Sequence, residues 1–156
     1  MGIIYNESDR TFTIQTKNTT YQMQIDAYGF LLHLYYGRKT DGVMDYLLTY
    51  ADRGFSGNPQ DAGNDRTYSL DALPQEFPCR LTGDFRSPVL DLVNADGSLG
   101  CDLRYQGYEI CDGKYNLKGL PDGLCCRRGS PDSDHLYERS GDRITGRITL
   151  WSSSGV

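Results

Sequence analysis

Arg10-Thr11-Phe12-Thr13-Ile14-Gln15-Thr16, Tyr21-Gln22-Met23-Gln24-Ile25 and Phe30-Leu31-Leu32-His33-Leu34-Tyr35-Tyr36 are the stretches that decide the fold class. In the first, Phe12 and Ile14 fall on one face at period 2 and polar groups on the other. The second repeats the pattern with Tyr21, Met23 and Ile25. The third is apolar almost throughout, as a buried strand is. Asn18-Thr19-Thr20 and Asp26 to Gly29 supply turns between them. Three strands within the first 40 residues predict an antiparallel meander, the opening of a β-sandwich.

Outward from this core the character changes. Residues 37 to 88 are polar and rich in Gly, Pro, Asp and Arg, apart from Tyr46-Leu47-Leu48-Thr49-Tyr50. A loop region of that length in a compact domain points to a function. Regular pattern returns at Val89-Leu90-Asp91-Leu92-Val93, followed by the turn Asn94-Ala95-Asp96-Gly97. Asp102 to Ile110 and Arg143 to Trp151 read as further strands, with residues 119 to 134 as loop. No stretch carries a 3.6-residue period, and there is no internal repeat. The 156 residues form one domain, residues 1–156, of the all-β class. A strand pattern running straight into Ser152-Ser153-Ser154-Gly155-Val156 predicts a sandwich truncated at its C-terminal end.

Composition excludes several classes of function. Hydrophobic residues at 38% and charged ones at 24% describe a globular chain. The 12 tyrosines and 18 glycines favour strands joined by turns. A net charge of −5 with scattered basic residues argues against a nucleic-acid partner. No apolar run approaches the roughly 18 residues of a membrane span, so no membrane partner is expected. The N-terminus lacks the charged and apolar regions of a secretion signal, which with free thiols leads to a cytoplasmic expectation. Cys79, Cys101, Cys111, Cys125 and Cys126 are odd in number and show no metal-ligand spacing. No cofactor is expected.

The candidates for chemistry lie in the polar middle. Asp52-Arg53-Gly54-Phe55-Ser56, Asp65-Arg66-Thr67-Tyr68-Ser69 and Gly83-Asp84-Phe85-Arg86-Ser87-Pro88 each combine acid, guanidinium and aromatic groups. Carboxylates and guanidinium forks match the donors and acceptors of sugar hydroxyls, and a ring can cover the apolar face of a pyranose. The bland alternative is a set of solvated surface ion pairs. His33, inside an apolar strand, reads as a hydrogen-bonded structural histidine, and His135 as an isolated loop residue. No Ser/His/Asp or Cys/His arrangement supports a catalytic assignment.

These tracts also carry a resemblance. Ile3-Ile4-Tyr5-Asn6-Glu7, Leu34-Tyr35-Tyr36-Gly37-Arg38-Lys39, Asp52 to Ser56, Asp65 to Asp71, Leu73 to Pro78, Thr82 to Pro88, Asp102-Leu103-Arg104-Tyr105 and Leu117 to Pro121 occur in the order seen in glycoside hydrolase family 36 α-galactosidases. The chain resembles their N-terminal domain over almost its whole length, and Asp142 to Leu150 again looks like a family strand. It departs at Cys79-Arg80-Leu81, where the family has a glycine and an aromatic residue, and matches poorly over residues 123 to 134.

The resemblance implies an antiparallel β-supersandwich that precedes a catalytic (β/α)8 barrel, with residues 1–156 an incomplete first domain and the barrel absent. It implies hydrolysis of terminal non-reducing α-D-galactose from α-galactoside oligosaccharides such as melibiose and raffinose, with retention of configuration. Retention needs two carboxyl groups about 5 Å apart. In the family both are barrel aspartates, so no catalytic residue is assigned here and the chain alone is expected to be inactive. The family's N-terminal domain supports a homo-oligomer, a tetramer, and reaches toward a neighbour's galactose pocket. The substrate-binding positions this implies are Asp52 and Arg66, with Asp84 and Arg86. The competing readings are a free-standing carbohydrate-binding module and a purely structural β-sandwich.

Overall fold

The structure is a computed structural model that describes residues 2–52, 54, 58–89, 91, 93–112 and 144–152. Its centre is a four-stranded antiparallel meander. Strands β1 (Gly2–Asn6), β2 (Thr11–Gln15), β3 (Thr19–Ile25) and β4 (Leu31–Arg38) lie side by side in chain order. Two more strands, β5 (Leu103–Asp112) and β6 (Ile144–Ser152), form an antiparallel pair of their own. The all-β antiparallel expectation holds. The meander has one strand more than alternation predicts, because Ile3 and Tyr5 extend the same face, opposite Ile14 and Phe12.

Register follows the apolar pattern. Phe12 pairs with Met23 and Ile25 with Leu31, so one face of the sheet collects Phe12, Met23, Ile25 and Leu31 as a buried cluster. A register shift of one residue would turn that face to the outside. Tyr5 and Tyr105 pack against this cluster, and the rings of Tyr5, Phe12 and Tyr108 sit 4.5–5.3 Å apart. The Tyr105 N–H donates to Gly29 O at 2.7 Å, tying β5 to the turn between β3 and β4. That turn is closed by Asp26, whose Oδ1 accepts the N–H groups of Tyr28 and Phe30 at 2.9 and 2.8 Å. Gly29 takes φ +86° there, a conformation only glycine adopts without strain.

The opposite face is not left to water. Thr11, Thr20 and Gln22 are buried on it. The Gln22 amide donates to Gly42 O at 2.9 Å and accepts from the Met44 N–H at 3.1 Å. Thr20 Oγ1 donates to Thr40 O and accepts from Thr40 N–H, so the segment after β4 is pinned across the sheet. Further along the chain the covering is apolar: Phe30, Leu32, Ala62, Tyr68, Leu70 and Leu73 form a second core cluster. Each fully buried large side chain here, Leu32, Leu70 and Leu73 among them, contributes about 1.5–3 kcal/mol. The edge of β4 is paired as well, since His33 N–H donates to Pro74 O and Glu76 N–H to Leu31 O.

Val89 to Val93 forms no strand among its described residues, and Val89 and Val93 are exposed. The Val89 N–H donates to Pro78 O instead of joining a ladder, and among the described residues no strand pairs with this stretch. The turn at Asn94–Gly97 is present, with Gly97 at φ +82°, but no strand pair flanks it among the described residues. His33 is the structural histidine expected: its Nδ1 lies 3.0 Å from Glu76 Oε1, the oxygen to which Tyr21 OH donates. The loop expected over residues 119 to 134, and with it Cys125, Cys126 and His135, lies outside the described residues. No helix among the described residues is long and apolar enough to cross a membrane.

Candidate functional site

Between β4 and β5 the chain has no strand among the described residues, only two short 3-10 turns at Asp45–Leu47 and Gln60–Ala62. The second turn buries Ala62, and the following Tyr68, Ser69 and Leu70 are buried too. The loop between Asp52 and Arg66 is therefore held at its base by apolar contacts. Polar contacts hold the described residues at its two ends. Asp52 Oδ1 accepts the Gly54 N–H at 2.7 Å, with Gly54 at φ +77°. Asp65 Oδ1 accepts both the N–H and the hydroxyl of Thr67, which lower its pKa from the usual carboxylate value.

Asp52 and Arg66, fourteen positions apart in the chain, meet there: Arg66 Nη2 lies 3.3 Å from Asp52 Oδ1. Both remain open to solvent, with 65% of the Arg66 side chain and 48% of the Asp52 side chain exposed. An ion pair this exposed contributes about 0.2–1 kcal/mol at most. It has little to do with holding the fold.

Asp84 and Arg86 are placed differently. The Asp84 side chain is 0% exposed. Its Oδ1 accepts from the Arg86 N–H and Nε at 3.0 and 2.9 Å, and its Oδ2 from Arg86 Nη2 and Gln75 Nε2 at 2.6 and 2.7 Å. Arg86 Nη2 also donates to Leu70 O and Leu73 O, both at 2.7 Å. This pair is occupied with the chain itself. It fastens the turn at residues 70–73, and no acceptor of Asp84 faces outward.

Burial alone would raise the Asp84 pKa, but the hydrogen bonds and charge of Arg86, with the Gln75 amide, outweigh it and lower it. A carboxylate whose folded pKa is depressed stabilises the protein above the unfolded value, about 3.9, and that stability is lost as pH falls through the folded value. The denaturation midpoint is expected to drop below about pH 4. Asp84→Asn should remove part of that drop and cost about 1.5–3 kcal/mol at pH 6. An unchanged pH profile in the variant would show that Asp84 is not the clamp.

A cleft of about 620 Å³ opens beside these loops. Asn58, Gln60, Asp61, Thr82, Asp102 and Arg104 line it, over a floor of Phe30 and Leu70. Arg104 organises it. Its Nε and Nη2 fork onto Asp102 at 2.7 and 2.9 Å, its Nη1 reaches Tyr28 O and Asp61, and its guanidinium lies 3.9 Å from the Phe30 ring centre. Asn58 Oδ1 is buried there without a hydrogen-bond partner among the described residues. Sequence reasoning singles out none of these as a site. The one signal for them is the tract Asp102-Leu103-Arg104-Tyr105, noted only for its resemblance. Among the described residues, no group of three or more His, Cys, Asp or Glu side chains is placed to hold a metal ion.

Known proteins agree on what carries such loops. The glycosyl hydrolase family 36 N-terminal domain matches over residues 29–136. The bifunctional alpha-galactosidase/sucrose kinase AgaSK of Mediterraneibacter gnavus is 61% identical over 121 residues, which is 78% of this chain and 13% of that protein. The solved galactosidase domain of an alpha-galactosidase–sucrose kinase superposes with a TM-score of 0.81 at 51% identity, covering 96% of this chain and 19% of that one. A variant of the alpha-galactosidase AgaA of Geobacillus stearothermophilus, solved in complex with raffinose, superposes with a TM-score of 0.74 at 33% identity, covering 91% and 18%. The chain thus spans less than a fifth of the length of each of these relatives. With strand order, loop tracts and superposition in accord, the chain belongs to the glycosyl hydrolase family 36 N-terminal domain family.

Proposed function

We propose that residues 1–156 form the first domain of a retaining α-galactosidase that releases terminal α-D-galactose from oligosaccharides such as melibiose and raffinose. The chemistry then belongs to a (β/α)8 barrel outside these residues. Here the Asp52–Arg66 loop contributes to the galactoside pocket across a subunit boundary in a homo-oligomer. The observation that carries this reading is the state of that pair: joined to each other, charged and about half exposed on a loop whose base is anchored without them. Asp84 and Arg86, engaged with each other and with residues 70–73, hold the platform and do not touch sugar. The segment from Phe77 to Leu99 supports a domain that works inside a larger assembly. It exposes 80% of Leu81 and 85% of Phe85, a surface that a partner layer would cover.

A direct test is turnover of a nitrophenyl α-galactoside. The 156-residue chain is expected to show none, because the family's two carboxylates lie in the barrel. Hydrolysis above a buffer blank by rigorously purified chain would overturn the reading. The cleft around Arg104 favours a second one, a carbohydrate-binding module in its own right. Galactose or raffinose titrated into the chain separates the two: saturable binding abolished by Asp61→Ala supports the module, and no binding supports the pocket shared between subunits.

A further inference from the structure

Tyr50 takes no part in the contacts assigned so far, and its place singles it out. It precedes Asp52 by two residues, as Tyr68 follows Arg66 by two. Its ring lies 6.3 Å from that of Tyr68, with the two planes 24° from parallel. Arg66 meets Asp52 at 3.3 Å. The same two segments are thus joined twice, by a pair of rings and then by a pair of charges. Two residues of chain span at most about 7 Å, so the rings and the charges are neighbours.

The two rings differ in freedom. Tyr68 is buried, its hydroxyl donates to Asp26, and the Tyr28 ring meets it edge-on at 4.6 Å. Leu48, two residues before Tyr50, packs against the same core cluster. Tyr50 rests on this fixed base and is still 47% exposed. An exposed ring backed by a held one is a pre-placed apolar plate, so a ligand that stacks on it orders little new chain. A pyranose offers such a plate its C–H face and turns its hydroxyls to the rim. Carboxylate and guanidinium groups at that rim match those hydroxyls.

We propose that Tyr50 is a specificity-determining residue of the galactoside pocket, its ring stacking on the sugar to which the terminal galactose is linked. The inference rests on the reading of the Asp52–Arg66 loop given above. In that reading the loop comes from a subunit other than the one whose barrel encloses the galactose. It therefore approaches from the mouth of the pocket, where the leaving sugar projects. A substrate with a pyranose in that place gains a contact, and one with a small leaving group does not. The result is a preference for oligosaccharides that is set outside the barrel.

The test uses an assembled full-length relative with Tyr, Phe or Ala in turn at the position that superposes on Tyr50. Melibiose is compared with α-D-galactosyl fluoride, whose leaving group is a single atom. With alanine in place of tyrosine, kcat/KM for melibiose should fall about three- to tenfold, mainly through KM. Hydrolysis of the fluoride should not change. Phenylalanine keeps the ring and should keep most of the efficiency. An equal loss on both substrates would mean that Tyr50 only holds the loop, and it overturns the proposal. So does no loss on either. Asp52→Ala in the same enzyme tells the failures apart. If it lowers kcat/KM while Tyr50→Ala lacks the expected effect, the stacking role alone is wrong. If neither variant changes turnover of melibiose, the loop is not part of the pocket and both readings fall.

Discussion

Asp26→Ala is expected to destabilise the domain by about 3–5 kcal/mol, a large part of the 5–15 kcal/mol that a domain usually has. Asp26 is a buried carboxylate with three donors on it: the N–H groups of Tyr28 and Phe30 on Oδ1, and the Tyr68 hydroxyl on Oδ2. It therefore joins the turn between β3 and β4 to the second core cluster. Burial first, and the Asp26 carboxylate second, hold the Tyr68 phenol well above the ordinary tyrosine range. The proton stays on Tyr68, which acts as donor throughout the working pH range. Alanine would leave that hydroxyl and two backbone N–H groups buried without partners, each costing about 1–3 kcal/mol. Tyr68→Phe removes only one of the bonds and should cost about 1–2 kcal/mol. Urea unfolding followed by circular dichroism measures both through the midpoint at constant slope. A loss below about 1 kcal/mol for Asp26→Ala would mean that the turn is held by something else.

The second large effect concerns activity. Asp52→Ala or Arg66→Ala in a full-length relative should lower kcat/KM roughly ten- to a hundredfold, the loss of a charge-assisted contact worth about 1.5–3 kcal/mol. Thermal stability should hardly move, because an exposed ion pair is worth at most about 1 kcal/mol. The two residues touch, so their effects should not add: the double variant should be little worse than the worse single one. Arg66→Lys keeps the charge without the planar fork and should fall between. The pocket role is wrong if the melting temperature drops sharply while the efficiency of the assembled enzyme is unchanged.

How much of this is legible in the sequence depends on the range of the interaction. Phe12 and Ile14, then Tyr21, Met23 and Ile25, announce β2 and β3 because a half-buried strand needs nothing beyond its own alternation. β1 escapes because five residues with Ile4 exposed between Ile3 and Tyr5 make a weak pattern. Val89 to Val93 has strand composition but no partner strand among the described residues, and composition cannot report a neighbour. In the loops, acid and guanidinium types mark Asp52 and Arg66 correctly as charged and solvated. The same types do not set Asp84 and Arg86 apart, since only the folded turn at 70–73 brings Gln75 onto the buried Asp84 and two carbonyls onto the partly exposed Arg86. The cleft is less visible still: Tyr28, Asp61 and Asp102 reach Arg104 from three separate stretches.

The polar face of the meander sets which positions can drift. Gln22 and Thr20 grip residues 40, 42 and 44 through main-chain N–H and C=O groups, which every residue except proline offers in full. The side chains of Thr40 and Met44 are not what is recognised in those bonds. Related chains can therefore exchange residue types along that loop and keep its path. Gln22 and Thr20, whose own side chains do the gripping from inside the sheet, have no such freedom: Leu or Val in their place would bury main-chain groups with nothing to bond. Tolerance to substitution is thus uneven across this contact, wide on the loop that looks specialised and narrow on two strand residues that look ordinary.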